Sequence, residues 1–137
     1  MNNPVVRQFV GVFAGLVVMA ITVALAEAAG HAVFPPPGGL DISRPEDQAR
    51  IMEKIPPGAK IAVIAAWLLG SITGAATAML IARTPLAGWV IGLVMGALSL
   101  WTTQMFPHRL WMMIAAVVMP LIGVLIAKRL IARRVAL

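Results

Sequence analysis

Residues 9–29 read FVGVFAGLVVMAITVALAEAA, an apolar run whose only charged residue is Glu27. A helix needs about 20 apolar residues to cross the roughly 30 Å of hydrocarbon in a bilayer, and this run has that length. Three similar runs follow at 61–82, 86–106 and 110–127. Because a spanning helix satisfies its own backbone hydrogen bonds, the pattern predicts an all-α integral membrane protein, a bundle of four transmembrane helices.

The composition of the 137 residues favours the same class of protein. Hydrophobic residues make up 61% of the chain and charged residues 12%, which is far more apolar than a soluble domain. The loop 30–60 holds the longest polar stretch and is too short to build its own core, so residues 1–137 are expected to form a single transmembrane domain. The absence of cysteine excludes disulfides, thiolate metal sites and thiol nucleophiles.

The basic residues predict an orientation. The formal net charge is +6, but the positive residues lie at the ends of the apolar runs, which argues against a nucleic-acid surface. In the predicted topology, the two sides of the membrane carry nearly equal numbers of Lys and Arg. The tail 128–137 is dense in positive charge beside a span, which predicts cytoplasmic termini and an outer loop 30–60. The tail residues expected at lipid headgroups are Lys128, Arg129, Arg133 and Arg134.

The outer loop 30–60 contains signals for a short helix. The prolines at 35–37 predict a stiff, extended exit from the first span. Ser43 followed by Glu46 matches a capping box, so an amphipathic helix is expected to begin there and to end at the prolines 56–57. Its apolar side would hold Ala49, Ile51, Met52 and Ile55. The helix is interpreted either as a connector lying on the surface or as a lid or docking surface for a partner protein.

Small residues recur at every fourth position in the first three spans. The Gly-x-x-x-Gly spacing lets helix backbones approach closely, either within one chain or between subunits. It therefore predicts close packing and leaves open a homo-oligomer or a larger membrane complex. The glycines assigned to this packing are Gly11, Gly15, Gly70, Gly74, Gly88, Gly92 and Gly96.

Pro120 interrupts the fourth span. A proline inside a helix has no N–H to give to the carbonyl four residues earlier, and its ring bends the helix. We expect a kink there, and a freed carbonyl that a neighbouring helix or a water molecule satisfies.

Glu27 is the only acidic residue within a predicted span, and His31 follows one helical turn later on the same face. Ala20 and Ala24 continue that face into the span. Placing a carboxylate at membrane depth costs free energy, so such a residue is by default a candidate for a functional role. His108 lies in the short turn before the fourth span, on the same outer side, so the topology allows it to approach Glu27 and His31.

Three interpretations of this cluster remain open. Glu27 can pair with His31 or Arg109 and simply stabilise the bundle near the interface. It can titrate in a proton-linked or ligand-binding role that the histidines tune. Glu27, His31 and His108 can also be ligands of a divalent metal such as zinc, since two imidazoles and a carboxylate suit that ion. No other cofactor is indicated.

The segment from Glu27 to His31 that leads into Phe34-Pro35-Pro36-Pro37, with Pro107-His108 followed by Trp111, resembles small uncharacterised four-span bacterial membrane proteins. The resemblance covers a small part of the chain. It implies no activity, and the expected location is a bacterial inner (cytoplasmic) membrane.

Two classes of function follow from these features. The first is a non-catalytic accessory, structural or assembly subunit that acts through glycine-lined helix faces and the outer loop. The alternative is an oligomeric transporter or channel for a small solute, proton-coupled or a metal ion, using Glu27 with His31 and His108. Its polar lining would come from Thr73, Thr77, Thr102, Thr103 and Gln104. No catalytic residue is assigned, because the serines lack a recognisable base partner. The expected partners are membrane lipids and other subunits.

Overall fold

The computed structural model describes residues 3–35, 38–39, 41, 43–105 and 109–132. Across these residues it contains five α-helices and no strand. The helices are α1 (Pro4–Val33), α2 (Pro45–Lys54), α3 (Pro57–Ala82), α4 (Pro85–Met105) and α5 (Leu110–Ala132). All except α2 are long and apolar enough to cross a membrane. The predictions of an all-α fold and of four membrane-length helices are confirmed.

Proline marks the start of most helices. The first residue is proline in α1, α2, α3 and α4, a position where the missing N–H has no helical partner to lose and the fixed φ suits the helix. The first helix is longer than the predicted span 9–29, because it begins at Pro4 and continues through Gly30 to Val33.

The short helix predicted in the loop 30–60 is present as α2, but its predicted N-terminal cap is wrong. The N-cap of α2 is Arg44, and no side chain caps this helix. Ser43 bonds to Asp41 instead: its Oγ and its backbone N–H donate to Asp41 Oδ1 at 2.7 Å and 2.9 Å. These two bonds, with the hydroxyl bond the stronger cause, lower the pKa of the exposed Asp41 carboxyl. The local Asp–Ser turn has therefore displaced the capping box.

The helix α3 is the centre of the bundle and packs against α1, α4 and α5. Near the start of α1, Arg7 Nε donates to the carbonyl oxygen of Ala82 at the end of α3, 3.1 Å away. The two helices are therefore antiparallel, and the guanidinium satisfies one of the open carbonyls at a negative helix end. Alternation along the chain makes α4 parallel to α1 and α5 parallel to α3. The end of the bundle that carries α2 is termed the loop end.

Glycines lie at the closest helix contacts. A Cβ at Gly15 would lie 2.7 Å from the carbonyl oxygen of Gly74 and 2.8 Å from Ala78 Cβ. Gly96 differs, because nothing lies within 4 Å of its Cβ position. The other predicted packing glycines also lie against side chains or backbone of a second helix, namely Gly11, Gly70, Gly74, Gly88 and Gly92.

Gly123, which was not among the predicted glycines, lies against α3. A Cβ there would lie 2.6 Å from Ser71 Cβ and 3.1 Å from the carbonyl oxygen of Leu68. Gly123 has Ala127 four residues later, so the small-residue spacing of the other spans was present in α5 as well.

The freed carbonyl before Pro120 is satisfied by a neighbouring helix. The carbonyl oxygen of Ala116, four residues before Pro120, receives no hydrogen bond from the backbone of Pro120, because proline has no N–H. Ser99 Oγ on α4 lies 2.7 Å from the Ala116 carbonyl oxygen and also 2.7 Å from that of Met95 in its own helix. Of the two donors expected, a neighbouring helix or water, the structure shows the helix, and the bond ties α4 to α5.

Candidate functional site

Glu27 and His31 lie near the loop end of α1 and line the same cavity, which has a volume of about 130 Å³ and is termed the loop-end cavity. Glu27 is half-buried and His31 is exposed. Lys60, at the start of α3, is the third polar residue of the lining. The apolar residues of the wall are Gly30, Phe34, Pro35, Met52, Ile55, Pro56, Ala59, Ala62, Val63 and Met112.

The helix α2 is held at one side of the loop-end cavity. Lys60 Nζ donates to the carbonyl oxygen of Met52 at 2.9 Å, which ties the end of α2 to the start of α3. Ile51 is buried, as expected for the apolar side of α2, whereas Ala49 is exposed. The ring of Phe34 lies so close to Gly58 that a Cβ there would be 2.6 Å from Phe34 Cζ. Phe34 at the end of α1 and Met52 in α2 are thus both held against the start of α3.

Glu27 also lines a second space, between α1 and α4, which has a volume of about 300 Å³ and is termed the α1–α4 cleft. Trp67 of α3, which is only 2% exposed, contributes to its lining. Among the residues that the structure describes, Glu27 is the one charged residue of this lining. The remaining lining residues are Met19, Ala20, Val23, Ala24, Met95, Leu98, Ser99 and Thr102.

Within the described residues Glu27 makes no ion pair and no hydrogen bond. The interpretation in which it pairs with His31 or Arg109 is therefore not seen, because neither lies within ion-pair distance. Arg109 lines a different groove at the loop end, together with Glu53 and Lys60.

The three-ligand metal site stays a prediction. His108 lies outside the described residues, so its distance to Glu27 and His31 is not defined. Among the residues that the structure does describe, no group of three or more His, Cys, Asp or Glu side chains is placed to hold a metal ion.

The threonines predicted to line a pore are engaged in local contacts. Thr73 Oγ1 lies 2.9 Å from Thr22 Oγ1 and joins α3 to α1. Thr77, Thr102 and Thr103 each donate to a carbonyl oxygen of their own helix. These hydroxyls are all paired with backbone carbonyls or with a hydroxyl of a neighbouring helix.

Two of the predicted headgroup residues, Lys128 and Arg129, lie at the opposite end of the bundle from Glu27. Lys128 and Arg129 are exposed in the last turns of α5. Arg133 and Arg134 lie outside the described residues. The two described cations are thus accessible at the end of the bundle that also carries Pro4.

No protein-family model, no curated protein and no solved structure matches this chain. Its function must therefore be inferred from its own residues. The sequence identified Glu27 and His31, which do share a cavity, but it did not indicate the α1–α4 cleft. The one signal for that cleft was the small pair Ala20 and Ala24 on the face of Glu27; the facing residues Met95 and Leu98 could be assigned only from the structure.

Proposed function

We propose that the chain is an integral protein of a bacterial inner membrane and acts as a non-catalytic accessory or assembly subunit of a larger membrane complex. Four helices of membrane length support the insertion. The exposed cations Lys128 and Arg129 support cytoplasmic termini and an external loop end, because positive charge beside a span is retained in the cytoplasm.

The observation that carries the proposal is the use of the buried polar groups. The buried polar residues of the described chain are Ser71, Ser99 and Thr103. Each hydroxyl lies within hydrogen-bond distance of a backbone carbonyl oxygen, and no buried side-chain nitrogen or oxygen in the described part is left without a partner. Ser71 and Thr103 bond within their own helices, and Ser99 also bonds to α5. Interior hydroxyls that are all paired with backbone carbonyls suit a structural role better than conduction of a polar solute.

The helix α1 offers a large apolar surface to lipid or to a partner helix. Phe9, Phe13 and Leu25 are 73%, 70% and 68% exposed. On α4, Gly96 adds a small-residue position with open space around it. Because helices associate in a membrane through close packing of small residues, a partner helix can approach α4 at this position.

Native mass spectrometry of the protein extracted gently from its own membrane tests this proposal. We expect a partner protein at fixed stoichiometry. Replacing Gly96 with leucine should reduce recovery of that partner, whereas Leu110→Ala, an exposed change at the start of α5, should not. A homo-oligomer that carries no other protein would contradict the accessory role.

A second candidate function is transport of a small solute by an oligomer, and one observation favours it. Glu27 lines both the loop-end cavity and the α1–α4 cleft, so a single carboxylate joins an external space to one between helices. Purified protein in liposomes should then show proton flux or zinc uptake that Glu27→Gln abolishes. If liposomes with the protein show the same flux as liposomes without it, transport of protons and zinc is excluded.

A further inference from the structure

We propose that the α1–α4 cleft is a binding site for a lipophilic organic cation, a molecule with one ammonium group at the end of an apolar chain. The ammonium would lie on the Glu27 carboxylate and the chain would lie along the cleft towards Met19. Both residues belong to the cleft lining, at its two ends along α1.

The charge of the cleft selects a cation. Glu27 is the only charged residue of the lining and has no ion-pair or hydrogen-bond partner among the described residues. Ser99 and Thr102, the polar neighbours in the lining, lie within hydrogen-bond distance of carbonyl oxygens of Ala116 and Leu98. Their hydroxyl hydrogens are therefore used elsewhere, and a bound ammonium would give the Glu27 carboxylate a charge-assisted hydrogen bond that it otherwise lacks.

The shape of the cleft suits an apolar chain. Met19 and Glu27 are eight residues apart, which is roughly 12 Å along a helix. Ala20 and Ala24 on α1 have short side chains, and the cleft is bounded by the long apolar side chains of Met95 and Leu98. The volume of about 300 Å³ reaches the lower end of the range for small-molecule sites.

The position of Glu27 sets the direction of the ligand. The carboxylate lies at the end of the cleft nearest the loop end, while Met19 lies deeper in the bundle. An amphiphile with its charged head near the interface and its chain in the interior fits this order. A fatty acid would place a second carboxylate beside Glu27. A phospholipid with an amine headgroup would place its phosphate there first, because the phosphate precedes the amine along the molecule.

Lys60 does not neutralise the site. Its ammonium donates to the carbonyl oxygen of Met52, and the residue lines the loop-end cavity but not the α1–α4 cleft. Lys60 therefore does not take the place of the proposed ligand, and we expect the ammonium beside Glu27 to come from a bound organic cation. The proposal does not depend on a partner protein, because binding is measured on the isolated chain.

Trp67 in the lining provides the readout. Replacing Trp89, Trp101 and Trp111 with phenylalanine leaves Trp67 as the sole tryptophan. In nanodiscs of uncharged lipid, we expect decylamine to change the Trp67 emission with saturation. Decanol and decanoate, which share the chain length, should bind at least about tenfold more weakly, since a charge-assisted hydrogen bond is worth that much in affinity. Native mass spectrometry of the wild-type protein should show one decylamine adduct.

Four variants test the roles of charge and space. Glu27→Gln should remove the preference for decylamine over decanol, and Glu27→Asp should retain it. Ala24→Phe should block all three probes while leaving the charge in place. Glu53→Gln, in the other groove at the loop end, should change nothing. Equal binding of decanol and decylamine, stronger binding of decanoate, or an unchanged preference in a folded Glu27→Gln protein would each overturn the proposal.

Discussion

The two sides of α1 meet their neighbours in different ways. Towards α3, glycines of both helices bring the backbones into contact, and a Cβ at Gly15 would lie 2.7 Å from the Gly74 carbonyl oxygen. Towards α4, the small residues Ala20 and Ala24 line an open cleft of about 300 Å³ with Leu98. We term the first contact the α1–α3 seam.

The difference shows what small residues do in a bundle. On the seam, glycine faces glycine, so no side chain separates the two backbones. In the α1–α4 cleft, alanines share the lining with long side chains such as Met95 and Leu98, and space remains between them. Close approach therefore requires small residues on both helices. A small-residue face on one helix alone can line a cavity instead.

The largest expected effect comes from adding a methyl group to the seam. Gly15→Ala should destabilise the protein by about 1–3 kcal/mol, because the new Cβ collides with backbone that cannot move aside easily. Gly96→Ala is the matched control, since its Cβ meets nothing within 4 Å. It should be neutral or stabilise by up to about 1 kcal/mol through helix propensity. Thermal unfolding in detergent measures both, and equal effects would contradict the seam.

The sequence predicted the helices well because long apolar runs have few alternatives in lipid. It predicted less well where two local signals competed. The Ser43–Glu46 pair matched a capping box, but Ser43 bonds to Asp41 and α2 begins at Pro45 without a side-chain cap. The choice between these bonds depends on the loop geometry around them, which residue spacing does not specify.

The candidate site was predicted only along one helix. Glu27 and His31 are four residues apart, so their common face follows from helical periodicity. The α1–α4 cleft depends on which residues of α3 and α4 approach that face, and helical periodicity within α1 carries no information about them. Trp67 and Leu98 lie 40 and 71 residues from Glu27 in the sequence. Such long-range contacts had to come from the three-dimensional structure.

A smaller effect is expected at Ser99, which lines the α1–α4 cleft and joins α4 to α5. Ser99→Ala should cost about 0.5–2 kcal/mol, because the Ala116 carbonyl then has no donor. In a Pro120→Ala background the helix regains its own N–H at this position, so the same serine substitution should cost much less. A double-mutant cycle of unfolding free energies measures the difference. Additive effects of the two substitutions would show that Ser99 does not serve the carbonyl freed by Pro120.

The hydroxyl pair on the seam should contribute less again. Thr22→Val removes the acceptor for Thr73 Oγ1, which can still donate to the carbonyl oxygen of Leu69 at 3.0 Å. No polar group is left unpaired, so we expect a loss of about 0.6 kcal/mol, the average for such bonds between membrane helices. Thr77→Val, whose hydroxyl bonds only within α3, should cost less than this. A loss above about 2 kcal/mol for Thr22→Val would mean that this pair, rather than the glycines, holds the seam.

The smallest effect on stability is expected at Glu27. This carboxylate is the chemical feature that most distinguishes the α1–α4 cleft from the α1–α3 seam. An unpartnered carboxylate gives no ionic stabilisation, so Glu27→Gln should change the unfolding free energy by less than about 0.5 kcal/mol in ligand-free protein. Decylamine should raise the melting temperature of the wild type progressively with its concentration, and should raise that of the variant no more than decanol does, because a ligand that binds the folded state stabilises it according to its affinity. A loss above about 1 kcal/mol without ligand would instead reveal a native ionic partner for Glu27. His108, outside the described residues, would then be the first to replace with asparagine.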